Sequence, residues 1–152
     1  MKKEIIVIRF LKVNKYDFVA EHSTIINKEK TVWMLKTGKY IPAIVLDEVL
    51  RNGGKVILKA PKAIGGKYYL THFHEYKHGM PEKGMNYPKY YNCLPKDYEK
   101  PVLDGTWLRI DQIYELKDEE VHKLRLCSSS KRLEDVVSQT RTTVMYVYVD
   151  LS

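Results

Sequence analysis

The sequence predicts a single α+β domain: a small mixed or antiparallel sheet curving toward a barrel, with helices at its periphery. Three observations carry that expectation. Strand-like segments outnumber helical ones. The order along the chain reads β-α-β-α-β-β-(loop)-β-α-α-β. Several strands follow one another without a helix between them, where a doubly wound fold would alternate βαβ units throughout. One domain spanning residues 1–152 is enough to bury a sizeable core. A content of 44% hydrophobic and 30% charged residues places the chain among folded proteins rather than disordered ones.

The elements follow in order. Glu4 to Leu11 is β-branched and apolar and reads as a buried strand; Arg9 and the lack of a small-residue cleavage site argue against a signal peptide. Asn14 is a plausible cap for a helix in which Phe18, His22, Ile25 and Ile26 recur at helical spacing. Thr31 to Lys36 is a second strand stopping at Gly38. Pro42 opens a second helix with the apolar stripe Val45, Leu46, Val49 and Leu50, and Asn52-Gly53 ends it. Lys55 to Ala60 is a third strand, Pro61 to Gly66 a turn, and Lys67 to Tyr76 a long aromatic fourth strand.

Residues 78–104 change texture: four prolines and four tyrosines with few aliphatics, the signature of a long loop or a set of short turns. Thr106 to Lys117 reads as a fifth strand, with Leu108, Ile110, Tyr114 and Leu116 on one face and Trp107, Arg109 and Asp111 on the other. A short helix over Asp118 to Lys123, a run from Leu124 into Ser128-Ser129-Ser130, a brief helix around Leu133 to Val137, and a closing strand from Thr142 to Leu151 complete the chain. There is no internal repeat, and no apolar run is long enough to span a membrane.

Charge narrows the function. The net charge of +7 favours polyanionic partners. From Val49 to His74 there is no carboxylate, while Arg51, Lys55, Lys59, Lys62 and Lys67 lie there together. These cations either frame one site or form a solvated basic edge that discourages strand addition. Cys93 and Cys127 are too few for a disulfide framework and read as free thiols in a reducing, cytoplasmic setting.

Enzyme motifs fail. The sequence has no Walker lysine loop, GxGxxG after a strand or GxSxG elbow, and HEYKH at 74–78 has HExxH spacing but begins in an expected strand where that motif needs a helix, so no catalytic residue, metal or cofactor is assigned. His72 and His74 share a strand face, but no further ligand segment has supporting spacing; they read as hydrogen-bonded surface histidines or as polar contacts to a ligand. Ser128, Ser129 and Ser130 form either a plain loop or an anion-facing turn, with Lys131 and Arg132 next to them. Trp33 and Trp107 are core residues by default, yet Trp107 is out of phase with its strand's apolar stripe, which allows it to line a groove beside Arg109. Flat rings beside cations suit stacking on a base, with Tyr69 and neighbouring tyrosines extending the surface.

The run HSTIINKEKTVWMLKTGK resembles the opening of PUA-like domains, particularly their EVE and ASCH relatives. The stretch TWLRIDQIYELKDEEVHKLRLCSSSKRLEDVV, followed by TTVMYVYV, resembles their strand, short helix, serine-rich turn and closing strand. This resemblance implies a small curved barrel with helices at its rim and a modified base held in an aromatic and polar pocket. By position it would assign Trp33, Lys36, Trp107, Ser128, Ser129 and Ser130 to that pocket, with the segment at about 78–104 as an insertion.

The expected function is therefore non-enzymatic binding of a nucleobase-containing ligand, nucleic acid or a modified base first. The site would draw on Trp33, Lys36, Lys59, Tyr69, His72, Trp107, Arg109, Ser128, Ser129 and Ser130. Sequestration of a small free (signalling) nucleotide and a basic protein-interaction or inhibitor module are the alternatives.

Overall fold

A computed structural model describes residues 3–13, 15–94 and 101–152. Eight strands form one mixed sheet: β1 (Ile5–Arg9), β2 (Val32–Thr37), β3 (Lys55–Lys59), β4 (Tyr68–Gly79), β5 (Gly105–Ile110), β6 (Tyr114–Glu115), β7 (Leu124–Leu126) and β8 (Val144–Val149). The order is β2-β5-β4-β3-β1-β8-β7, with β6 paired to β4. β1 and β3 are parallel neighbours; the other pairs are antiparallel.

The barrel expectation is overturned: the sheet stays open, with β2 and β7 as its edges. Closure needs free backbone groups on both edges, and each edge has bonds to its own loops. On β2, Trp33 N–H donates to Asn86 O (3.0 Å) and Leu35 N–H to the Tyr91 hydroxyl (3.2 Å). On β7, Leu126 N–H donates to Lys131 O (2.8 Å), and Arg125 bridges Arg132 as the chain turns back. These contacts also shield the edges from pairing with other chains.

The helices are α1 (Phe18–Glu29), α2 (Ala43–Arg51) and two short ones, α3 (Asp118–His122) and α4 (Leu133–Val136). The expected cap Asn14 lies outside the described residues; Asp17 caps α1, its carboxylate accepting from Ala20 N–H (3.0 Å). Phe18, His22 and Ile26 recur every fourth residue and form the buried stripe of α1. Val45, Leu46 and Val49 do the same for α2.

Strand alternation gives the sheet two apolar faces. On one, Ile6, Ile8, Val32, Met34, Val56, Leu58, Phe73, Leu108 and Ile110 pack beneath α1 and α2. On the other, two separate patches form. Ile5, Val7, Ile57, Met145 and Val147 lie under α4 and the turn after it. Trp33, Leu35 and Trp107 lie under Tyr90 and Tyr91, with Tyr87 beside them.

The expected fifth strand is interrupted. β5 ends at Ile110 and β6 begins at Tyr114, opposite a register shift in β4 between Phe73 and Glu75. β4 therefore bends, pairing with β3 through Tyr68 to His72 and with β5 through Phe73 to Gly79.

Candidate functional site

Because β1 and β3 run parallel, their carboxyl ends coincide. Their last register partners are Arg9 and Lys59, two cations on the face that also carries Tyr68. Neighbouring strands lie roughly 4.8 Å apart, so the two side chains leave the sheet side by side. In open α/β sheets ligands usually sit in the crevice beyond the carboxyl ends of parallel strands, and β1 and β3 are the parallel pair of this otherwise antiparallel sheet.

Both cations are half-buried and held by neutral groups. The Arg9 guanidinium donates through Nη1 to Thr140 O. Lys59 Nζ donates to Gly66 O and sits 4.6 Å from the Tyr68 ring centroid. Among the described residues neither has a carboxylate partner within ion-pair distance. Burial and, after it, the neighbouring Arg9 lower the Lys59 pKa from its ordinary value. Burial first and Glu134 next push Tyr68 up to about 12, with Arg9 opposing, so at neutral pH its hydroxyl remains a donor. Glu134 itself is engaged by His122 (2.5 Å).

Thr140, whose carbonyl holds Arg9, also lines a hollow of about 480 Å³ beside β8. Leu126, Val136, Val144 and Met145 give it apolar walls; Ser128, Thr140 and Thr142 supply hydroxyls. Lys3 Nζ sits 4.6 Å from the centroid of Tyr146, another lining residue. Cys127 also lines it, its thiol pKa raised by burial.

The expected site residues disperse. Trp33 and Trp107 do come together, but inside the core: Trp107 is fully buried, and its Nε1 donates to Gly79 O (3.0 Å) and Leu103 O (3.1 Å). Tyr87 and Tyr91 occupy the space a stacked base would need, at 5.2 and 5.9 Å from the Trp107 ring. Trp107 is out of phase with the aliphatic stripe because its face has a separate aromatic cover. The Pro/Tyr-rich segment supplies that cover, in a tight turn over Lys89–Cys93.

Lys36 donates to Lys39 O (2.6 Å) within its own loop. Tyr69 packs on the opposite face, against the helix-side core. Arg109 Nε lies 3.1 Å from Glu75 in an ion pair that lacks hydrogen-bond alignment. His72 and His74 converge on Asp111, whose carboxylate meets His74 Nε2 at 2.8 Å and His72 Nδ1 at 4.0 Å. Among the described residues no three His, Cys, Asp or Glu side chains form a metal cage.

The serine turn is a hairpin tip. Ser129 Oγ accepts from Lys131 N–H (3.3 Å), Ser130 adopts positive φ, and Ser128 alone of the three lines the hollow. Of the expected residues, Lys59 and Ser128 border the candidate site. The carboxylate-free run divides: Lys55 pairs with His72 at the far end of β3, Lys67 is held by Glu115 (3.1 Å), and Lys62 is exposed near Lys59.

Sequence reasoning missed Arg9, Thr140 and Tyr146. Arg9 stood out only as a charge interrupting the N-terminal apolar run, and its neighbour is fixed by a parallel pairing across 50 residues. Neither Cys93 nor Cys127 is in a disulfide, as expected. Among the described residues no helix is long and apolar enough to cross a membrane. Comparison with family models, curated proteins and solved structures finds no match.

Proposed function

We propose that this chain is a non-enzymatic binder of a phosphate-bearing, nucleobase-containing ligand, with nucleic acid as its first form. One observation carries the reading: Arg9 and Lys59 project side by side from parallel strands, partly desolvated, without a carboxylate between them. Two like charges so placed repel, and an anion bound to both removes that cost. Tyr68 adds a hydroxyl donor, and the net charge of +7 draws polyanions toward the molecule.

The test is fluorescence anisotropy with labelled single- and double-stranded oligonucleotides of roughly 20 nucleotides, beginning near 50 mM salt. Log K is expected to fall linearly with log salt. Arg9→Ala and Lys59→Ala should each weaken binding across sequences and reduce the slope by about 1. Absence of binding by both oligonucleotides and mononucleotides at low salt would sink the reading.

A free small nucleotide is the second form, favoured by the 480 Å³ hollow, which suits one small ligand. Equal affinity for mononucleotides and long oligonucleotides would select it. If only an acidic protein surface binds, the chain is an interaction module instead.

A further inference from the structure

The hollow beside β8 adjoins the cation pair, and the two share a wall. Thr140 lines the hollow, and its carbonyl accepts from the Arg9 guanidinium. Thr142 lines it as well, and Arg141, between these two in sequence, is exposed and without an ion-pair partner among the described residues. Arg9 therefore meets the backbone of a residue that lines a space with apolar walls, hydroxyls and an aromatic ring, and Arg141 is the next residue along the chain.

We infer that the hollow is a nucleoside pocket: it takes the base and sugar of a single nucleotide whose phosphate sits at the lip on Arg9 and Arg141. This rests on the phosphate-binding reading above and specifies which part of the ligand is enclosed. The volume of about 480 Å³ lies within the usual range for small-ligand sites. Val136, Val144 and Met145 supply apolar contact. Tyr146 offers a ring edge or face, and Lys3, already over that ring, favours an electron-rich base.

The hydroxyls of Ser128, Thr140 and Thr142 both donate and accept, as base and sugar edges require. Thr140 and Thr142 are linked Oγ1 to Oγ1 at 2.9 Å, which fixes their positions. Of the carboxylates acting on Cys127, Glu48 accepts from Lys3 N–H (3.2 Å), and Glu4 precedes β1. Neither lines the hollow.

The two cysteines, neither in a disulfide, make the test internal to the protein. Cys127 lines the hollow, whereas Cys93 is exposed elsewhere. Iodoacetamide alkylation of each is followed by mass spectrometry with adenosine, guanosine, cytidine or uridine 5′-monophosphate, or inorganic phosphate alone. At a concentration ten times Kd, at least one nucleotide should slow Cys127 alkylation about tenfold and leave Cys93 unchanged. Inorganic phosphate should not protect Cys127.

Thr142→Trp, at an exposed position, should fill the hollow and abolish nucleotide protection, while Thr142→Ser retains it. If oligonucleotides bind through Arg9 and Lys59 but no nucleotide protects Cys127, the pocket is refuted and the phosphate-binding reading stands. Protection that persists in Thr142→Trp also refutes the pocket. If neither oligonucleotide nor nucleotide binds, both fail together.

Discussion

His22 is the residue on which the aromatic side of the molecule turns. It is fully buried in α1; Nδ1–H donates to Phe18 O (2.6 Å), and Nε2 accepts from the Tyr91 hydroxyl. Tyr91 in turn accepts from Leu35 N–H (3.2 Å), so one hydroxyl ties the Tyr-rich segment to both α1 and β2. Burial lowers the His22 pKa to about 4, against 6.5 for the free side chain. The unfolded chain therefore binds the extra proton first as pH falls, and stability drops below about 6.5. Between pH 7 and pH 5 this amounts to about 2 kcal/mol. Urea denaturation at both pH values should show the loss, and His22→Gln should largely abolish the difference; an unchanged slope in the variant would show that other groups carry it. Tyr91→Phe leaves two buried polar groups without partners and should cost about 2–4 kcal/mol by the same assay.

At the scale of elements, the α2–β3 junction shows what glycine permits. Gly54 has φ +68, and a Cβ built there would lie 2.2 Å from Phe73 O, which receives no room from either strand. That close approach lets Gly54 O accept from Phe73 N–H (2.8 Å) where β4 bends away from β3. Gly54→Ala should therefore destabilise the fold by about 2 kcal/mol or more, whereas Gly53→Ala, with open space around its Cβ, carries only the strain of its positive φ. Thermal melts of the two variants should differ, and equal melting temperatures would refute the close-contact argument.

Elements of this kind were legible in the sequence because their causes are local. The stripe from Val45 to Leu50, the Asn52-Gly53 stop, and the alternation of Leu108 and Ile110 each identify an element and its buried side. Edge protection was not local: it depends on Asn86 and Tyr91 reaching β2, and on Arg132 returning to β7. Open or closed was therefore undecidable from strand patterns, and the barrel expectation failed there. Trp107 failed differently. Its phase was read correctly, but a face opposite the aliphatic core was taken for a groove, when tyrosines from residues 87–91 cover it. Lys59 was legible as a cation in a carboxylate-free run; its partner Arg9 was hidden by the parallel crossover.

For the whole molecule, the cation pair sets binding against stability. The free protein keeps Lys59 beside Arg9 at the cost of repulsion and partial desolvation, both of which act to lower the Lys59 pKa. Removing the charge while keeping the stem relieves that cost, although the bond to Gly66 O and the contact with Tyr68 are lost with it. Lys59→Met should accordingly melt at or above the wild-type temperature in chloride. An anion that binds only the folded state stabilises it by RT ln(1 + [L]/Kd). At a matched ionic strength, phosphate or a short oligonucleotide should therefore raise the wild-type melting temperature more than chloride does, and the variant should lose that increment. The matched ionic strength matters, because screening of the net +7 charge stabilises wild type and variant alike. A variant that melts several degrees lower in chloride, yet keeps the full phosphate response, would show that Lys59 serves the turn at Gly66 and that anions bind elsewhere.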